Sequence, residues 1–480
     1  MPQKAIAGIV LIWFLSLSNS LNAQILKPGF DKKEYLELLR ISAQFGDSAY
    51  RSNIMNPVSS DFVYRSPVMG LDNLWELWKQ NRGVAVISIR GTTETSTSWM
   101  ANFYAAMVPA KGQLQLSNTE VWNYELAKSP KAAVHTGWLV AMAFLSKDIL
   151  PRIDSAYHNG IKEFIILGHS QGGAIAYLLT SYLYHLRSTG RIPGDILFKT
   201  YCSAGPKPGN LYYAYEYEDQ TKNGWAFNVV NTADWVPETP LSIQTMDDLN
   251  PVNPFYNPDN IFSKLKFPQN IAMRFVLNQL NNPTKRARKN YQKYLGNFVG
   301  KQISKRLDGF TAPEYYNSVD YVRTGAQVIL MADDSYYKKF PQDHQKIFTN
   351  HLHQPYIFLT EKYGDQKKAD NDMQWVLDSL NWKGKRIQDL YATKKPQLRF
   401  SQAEGRISGF SGCNSFSGNP VINANRIDFN IPILSTKKYC KGGGEIAFFE
   451  ALQSVNRFEI KNKRLIFYRN QEVIMRFAEL

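Results

Sequence analysis

The sequence places Gly168-His169-Ser170-Gln171-Gly172-Gly173 between an apolar run at 164–167 and a helix-like stretch at 174–186. This order of strand, tight turn and helix is typical of a serine nucleophile held exposed at the tip of the turn. Glycines on both sides of the serine leave room for a cramped backbone. The G-x-S-x-G pattern alone arises easily by chance, but its flanking segments favour a nucleophilic Ser170 over a passive serine in a glycine-rich loop.

A serine nucleophile requires a base, an acid that orients the base, and two N–H donors for the oxyanion. The best-placed acid is Asp234, because 227–231 is predicted as a buried strand and the aspartate lies in the loop that follows. The alternative is a turn aspartate without a catalytic role. One N–H donor follows from the turn itself, at Gln171. The second is expected in the loop 90–93, which follows a strand-like run at 84–89.

The base must come from the histidines that follow the nucleophile, because α/β enzymes of this kind carry nucleophile, acid and histidine in that order. The four histidines after the serine are His185, His344, His351 and His353. The first of them lies on the helix that leaves the turn, so it is expected to point away from the catalytic edge. The cluster at 350–356 remains, and it contains two histidines.

The length, composition and N-terminus of the chain predict an exported globular protein. At 480 residues the chain is too long for one ordinary core, and 44% hydrophobic with 20% charged residues is typical of folded domains. Residues 1–23 resemble a secretory signal peptide, with Lys4 before an apolar run. We therefore expect a periplasmic or secreted protein.

Most of the formal net charge of +15 comes from one segment, 263–306, which contains no Asp or Glu. Its basic residues are Lys264, Lys266, Arg274, Lys285, Arg286, Arg288, Lys289, Lys293, Lys301, Lys305 and Arg306. Interleaved apolar residues predict basic amphipathic helices, broken at Pro283. Such helices either lie on an anionic membrane surface or form an insertion whose apolar side packs on the core. Nucleic acid is not expected as a partner of an exported protein with this serine turn.

Five stretches occur in the order found in class 3 lipases, and the chain resembles that family. They are Arg90-Gly91-Thr92, Val134-His135-Thr136-Gly137-Trp138, Gly168 to Gly173, Gly205-Pro206-Lys207-Pro208-Gly209-Asn210 and Asp234-Trp235-Val236-Pro237. The resemblance implies an α/β-hydrolase fold over residues 24–365, with the basic insertion at about 250–310. It implies Ser170 as nucleophile, Asp234 as acid, and Thr92 with Gln171 as the oxyanion hole. By position, 93–103 corresponds to the family's lid region.

The resemblance leaves two candidates for the catalytic histidine. Bacterial and plant relatives usually place a tyrosine five residues after it, which fits His351 and Tyr356. Fungal relatives use a spacing of three, which fits His353. We predict His351 and keep His353 as the alternative. His135 and His169 are predicted to be structural.

A charged linker-like stretch at 361–372 precedes a second region, 373–480, with short alternating strands and turn glycines. Its sequence resembles the META domain, a small, mainly β module without established catalytic residues, so a stabilising or binding role is implied. In an oxidising compartment Cys413 and Cys440 are expected to pair. Cys202 is expected to be a buried small hydrophobe.

Together these features predict a serine hydrolase that cleaves carboxylic esters of lipids through an acyl-enzyme, with no cofactor and no metal. The serine turn indicates acyl transfer but does not identify the acyl group. A phospholipase or a non-lipid carboxylesterase therefore stays open. A third alternative is a non-catalytic exported binding protein on a degenerate hydrolase scaffold.

Overall fold

The computed structural model describes residues 24–250, 252, 266–363, 374–391, 394–401, 406–423, 425–430, 432–440, 442–461 and 463–479. The chain divides into two compact units, Met1–Thr360 and Glu361–Leu480. The predicted signal peptide, 1–23, lies outside the described residues. So does most of the predicted linker, although its first two residues, Glu361 and Lys362, end a helix.

The first unit is built on a seven-stranded sheet of mixed direction. The strands of the whole unit, seven of which form this sheet, are β1 Ser60–Arg65, β2 Trp75–Gln80, β3 Ala85–Ile89, β4 Met107–Pro109, β5 Lys111–Ser117, β6 Glu120–Glu125, β7 Ala133–His135, β8 Glu163–His169, β9 Leu197–Ser203, β10 Ala226–Asn231 and β11 Ala326–Leu330. The order of the seven-stranded sheet is β1-β2-β3-β8-β9-β10-β11. Outside it, β4 pairs with β7 and β5 pairs with β6 in two small two-stranded sheets. Pairing is antiparallel from β1 to β3 and parallel from β3 to β11.

Helices connect the parallel strands. The helices of this unit are α1 Lys32–Ser42, α2 Ser48–Arg51, α3 Ser96–Phe103, α4 Thr136–His158, α5 Gln171–Ser188, α6 Leu211–Gln220, α7 Gln269–Tyr291, α8 Val299–Ser304, α9 Asp334–Lys339 and α10 His353–Lys362. Short 3-10 turns are Ala43–Phe45, Val236–Glu238, Met246–Asp248 and Thr349–His351, and a π-helical turn spans Gln292–Phe298. Because α4, α5 and α6 return the chain between parallel strands, the carboxyl ends of β3, β8, β9 and β10 meet at one edge. The predicted α/β class is confirmed.

The basic insertion contradicts one prediction, since α7 continues through Pro283 without a break. Proline removes one helical hydrogen bond and crowds the preceding turn. Here Gln279, whose carbonyl group would have accepted that bond, and the proline itself are both exposed, so water can reach the freed carbonyl. In the described part of the chain, no helix is both long and apolar enough to cross a membrane.

The second unit is a ten-stranded antiparallel sheet with one longer helix. Its strands are β12 Gln374–Leu380, β13 Gln397–Ser401, β14 Arg406–Phe410, β15 Ser415–Gly418, β16 Val421–Asn423, β17 Arg426–Asp428, β18 Leu434–Ser435, β19 Arg457–Lys461, β20 Arg464–Arg469 and β21 Glu472–Glu479, and its helices are α11 Ile387–Leu390 and α12 Gly444–Gln453. The order is β16-β17-β19-β20-β21-β12-β13-β14-β15-β18. Trp375, Phe448 and Phe467 are fully buried in its core. The predicted mainly β character is confirmed.

The predicted cysteine pairing is present as a disulfide between Cys413 and Cys440, 27 positions apart. Cys202 is a free, buried cysteine, as expected. Replacing Cys413 by serine is expected to destabilise the second unit by about 3 to 4 kcal/mol, because the open loop regains its entropy in the unfolded chain. Calorimetry of the full chain measures the loss. A count of three thiols on denatured, unreduced protein, instead of one, would contradict the pairing.

Candidate active site

Ser170 lies between β8 and α5 in a strained turn, with a φ of 62° and a ψ of −131°. The two flanking glycines are required sterically. A Cβ on Gly168 would stand 2.0 Å from the carbonyl oxygen of Gly172, and a Cβ on Gly172 would stand 2.2 Å from that of Ile89. Any side chain there would force the turn open, and the serine would lose its exposed position at the sheet edge. The predicted strand-turn-helix arrangement is therefore present.

Asp234 follows β10 at the same edge, and its side chain is buried. One carboxylate oxygen accepts a hydrogen bond of 2.7 Å from Nδ1 of His351 and one of 2.8 Å from the hydroxyl of Tyr356. The other oxygen accepts the backbone N–H of Val236 at 3.0 Å. Three donors fix the carboxylate, so it can orient the imidazole and stabilise its charged form.

His351 ends a 3-10 turn with its second ring nitrogen directed away from the acid. This nitrogen, Nε2, is buried and has no hydrogen-bond partner among the residues that the structure describes. Buried polar atoms are normally paired, so an unpaired one calls for a functional explanation. Both His351 and Ser170 line the same cavity. The structure thus brings together the predicted nucleophile, acid and histidine at one site.

His353 occupies a different position, although it lies only two residues later. Its Nδ1 is 2.7 Å from the hydroxyl of Tyr50, its Nε2 is 3.0 Å from that of Ser42, and its ring stacks on His169 at 4.3 Å. His169 in turn bonds Ser203 through Nδ1 and the carbonyl group of His351 through Nε2. Both nitrogens of His353 are therefore occupied by hydrogen bonds, and His353 does not line the cavity.

Three buried histidines are held neutral by their surroundings. Burial lowers the pKa of His135 and of His169 to about 3, and lowers the pKa of His353 well below its ordinary value. In the unfolded chain each takes up a proton near pH 6.5. Below that pH the unfolded state binds more protons than the folded state, so the stability that these groups contribute above pH 6.5 is lost as the pH falls.

Unfolding free energy is therefore expected to fall by about 4 kcal/mol per pH unit below pH 6, about 1.4 kcal/mol for each histidine. Denaturant titrations between about pH 7 and pH 5 measure this slope. The variant His135→Gln is expected to reduce the slope by about a third. An unchanged slope in that variant would show that other groups cause the acid sensitivity.

The side chain of Asn102 contacts both predicted oxyanion donors, Thr92 and Gln171. Among the hydrogen bonds of the described residues, none is donated by the backbone N–H of Thr92 or Gln171. The amide of Asn102 donates to the hydroxyl of Thr92 at 2.9 Å and accepts from the side chain of Gln171 at 2.8 Å and from the indole of Trp138 at 3.1 Å. The two free N–H groups can thus serve an oxyanion.

Asp72 is a residue of this region that the sequence reasoning missed. Its carboxylate accepts hydrogen bonds from the hydroxyls of Thr93 and Thr95 and from the guanidinium of Arg90. Burial of this carboxylate opposes its charge, but these hydrogen bonds and the Arg90 charge outweigh burial and lower its pKa. Asp72, which lies just before β2, therefore fixes the loop that carries Thr92 through these hydrogen bonds. No local motif around Asp72 signals this contact.

A cavity of about 650 Å³ lies above the site. Its lining residues are Thr92, Thr93, Glu94, Trp99, Asn102, Phe103, Ala105, Trp138, Ser170, Gln171, Pro206, Trp235, Val236, Thr239, Pro240, Leu241, Tyr291, Leu295, Phe348, His351 and Leu352. Most are apolar, so the cavity suits a hydrocarbon chain. Helix α3, in the lid position, forms one wall. The basic insertion contributes another through Tyr291 and Leu295.

Comparison with known families agrees with this geometry. Residues 86–243 match the family described as lipase (class 3), and residues 369–480 match the META domain. Two separate regions of the chain are thus similar to these two families. Both resemblances predicted from the sequence are confirmed. The lipase match includes the serine turn, the loop of Thr92 and Asp234, and it ends before the basic insertion.

Three proteins to which this chain is similar come from fungi. The chain is 27% identical over 171 residues to the secreted mono- and diacylglycerol lipase 1 of Fusarium solani. The aligned stretch covers 34% of this chain and 48% of that protein. It thus spans about half the length of that relative. Lipase II from Rhizopus niveus is 22% identical, with 44% of this chain and 74% of that chain covered and a TM-score of 0.32. The lipase of Rhizopus microsporus var. chinensis is 18% identical, with 50% and 80% covered and a TM-score of 0.32.

Proposed function

We propose that this chain is a serine hydrolase that cleaves carboxylic ester bonds of lipids. The proposal rests mainly on the hydrogen bond between Asp234 and His351 beside the cavity that Ser170 also lines. The second imidazole nitrogen of His351 has no partner among the described residues. The match to class 3 lipases supports the same reaction, as does the similarity to a Fusarium protein whose name describes a mono- and diacylglycerol lipase.

In the proposed reaction, Oγ of Ser170 attacks the ester carbonyl carbon while Nε2 of His351 accepts the hydroxyl proton. Asp234 orients the imidazole and stabilises its positive charge. The N–H groups of Thr92 and Gln171 stabilise the negative charge on the tetrahedral oxygen. His351 then returns the proton to the leaving alcohol, and water hydrolyses the acyl-enzyme. The reaction requires no cofactor.

We further propose that the acyl chain of the substrate lies in the cavity. Trp99, Phe103, Leu295 and Phe348 provide apolar surface for it. Export of the protein is proposed on two grounds, namely the disulfide between Cys413 and Cys440 and the description of the Fusarium relative as secreted. Disulfides persist in oxidising compartments outside the cytosol.

A substrate panel tests the proposal. Triacylglycerol, diacylglycerol, phospholipid and a soluble acetyl ester are offered to the full chain, and released acid is titrated. Faster hydrolysis of the glycerides than of the acetyl ester is the expected result, because their acyl chains fill the cavity and an acetyl group does not. A preference for phospholipid or for the acetyl ester would reassign the substrate class. No hydrolysis of any substrate, together with no labelling of Ser170 by an alkylphosphonate, would favour a non-catalytic binding protein.

A further inference from the structure

The first half of α7, together with Phe267 two residues before the helix begins, carries a concentration of exposed apolar side chains. Between positions 267 and 280, six large apolar residues are between 47 and 78% exposed. They are Phe267, Ile271, Met273, Phe275, Val276 and Leu280. Single exposed apolar residues are normal on protein surfaces, but six large ones within 14 positions mark a binding surface.

The second half of the same helix is packed, which gives the exposed half a fixed support. Arg288 and Tyr291 are buried, and the guanidinium of Arg288 bonds Thr245 and Asp247. Tyr291 packs against Met107 and Tyr321 in a small core. The helix is therefore attached to the hydrolase unit at its C-terminal end. Its N-terminal turns present apolar side chains to solvent.

The charged residues within this segment are all of one sign. The segment 263–306 contains no acidic residue, and Lys285 and Arg288 share Asp247 as an ion-pair partner. Arg286 and Lys289 are exposed, and within the described part of the chain neither forms an ion pair with a carboxylate. A second copy of this chain would bring two positive surfaces together, so self-association through this face is disfavoured.

We propose that residues 267–289 dock the protein onto an anionic phospholipid surface. Apolar side chains would enter the acyl boundary, and the basic side chains would contact negatively charged headgroups. The inference rests on the proposed function, because the same helical run continues into Tyr291 and Leu295 at the cavity wall. Docking would thus hold the active-site unit at the surface from which its substrates are drawn.

Vesicle flotation tests the proposal. The full chain is used with Ser170→Ala, so that no lipid is consumed, and is mixed with phosphatidylcholine vesicles with or without about 30 mol % phosphatidylglycerol. Binding to the anionic vesicles is expected to be at least about tenfold tighter, and to weaken strongly at about 1 M NaCl, where the Debye length is about 3 Å. Equal binding to both vesicle types would overturn the proposal, as would a salt-independent interaction.

Two variants locate the surface on α7. Ile271→Ser with Phe275→Ser removes apolar contact, and Arg286→Gln with Lys289→Gln removes charge; each pair is expected to weaken vesicle binding about tenfold. Ile446→Ser is the matched control for the first pair, since Ile446 is a helical residue that is 61% exposed. Lys79→Gln with Lys128→Gln is the control for the second. Unchanged binding in both α7 variants would overturn the proposal, and so would concentration-dependent dimers without vesicle binding.

Failure of this inference is separable from failure of the proposed function. With Ser170 intact, the α7 variants are expected to hydrolyse a soluble p-nitrophenyl ester at the native rate, since none of the altered residues lines the cavity. Their hydrolysis of diacylglycerol carried in the anionic vesicles is expected to fall about tenfold. Native hydrolysis of both substrates would overturn docking alone. A native chain that binds vesicles and hydrolyses neither ester would overturn the function alone.

Discussion

The variant Ser170→Ala is expected to lower kcat/KM for a soluble p-nitrophenyl ester by about 10⁴-fold or more, with no loss of folded protein. Removing the nucleophile removes the acyl-enzyme route, and the remaining oxyanion donors supply little rate by themselves. The fold is expected to persist, because alanine and serine bear the same steric cost at a φ of 62°. Ester hydrolysis and thermal unfolding of the purified variant measure both quantities.

The matched control for this experiment is Ser146→Ala. Ser146 is a buried serine of the hydrolase unit, and its hydroxyl bonds the carbonyl group of Ala143 within α4. Its replacement is expected to change kcat/KM less than about threefold, as for sites distant from the chemistry. Alkylphosphonate should label this control and the native chain, and leave Ser170→Ala unlabelled. A Ser170→Ala protein with native activity would remove Ser170 from the mechanism.

The serine turn could be predicted from sequence because its constraints are local. Gly168 and Gly172 lie against backbone oxygens that Cβ atoms would strike, so the spacing of glycines carries the geometry directly. The strand before it is also a local feature, since β8 contains a continuous apolar run, 164–167, that is buried on both faces. In this part of the molecule, one stretch of residues specifies both the fold and the position of the candidate nucleophile.

Contacts between distant segments could not be predicted in the same way. The hydroxyl of Tyr50 meets His353 across 303 positions, and Asn102 meets Gln171 across 69. Neither contact has a sequence pattern of its own. The amphipathic pattern of the insertion left two interpretations open, and its two halves differ: Tyr291 packs on the core, and Phe275 is exposed. Periodicity alone does not report which partner an apolar face meets.

The second large effect is expected for His351→Ala, which should lower kcat/KM by about 10⁴-fold or more, whereas His353→Ala should stay within about tenfold of the native value. Only His351 bonds Asp234 while leaving Nε2 unpaired at the cavity. His353→Ala is instead expected to cost about 2 to 3 kcal/mol of unfolding free energy, since it leaves a void and an unpaired hydroxyl on Ser42, and Tyr50 loses one of its two hydrogen bonds to residue 353.

Rescue by free imidazole separates a lost base from a damaged fold. His351 lines a cavity large enough to admit imidazole, so added imidazole is expected to restore part of the activity of His351→Ala. It should not raise the activity of His353→Ala, because that side chain is enclosed by Tyr50, Ser42 and His169. The opposite pattern, with rescue of His353→Ala and native activity in His351→Ala, would make His353 the base. Native activity in both variants would exclude the triad, because a serine hydroxyl without a base is a poor nucleophile at neutral pH.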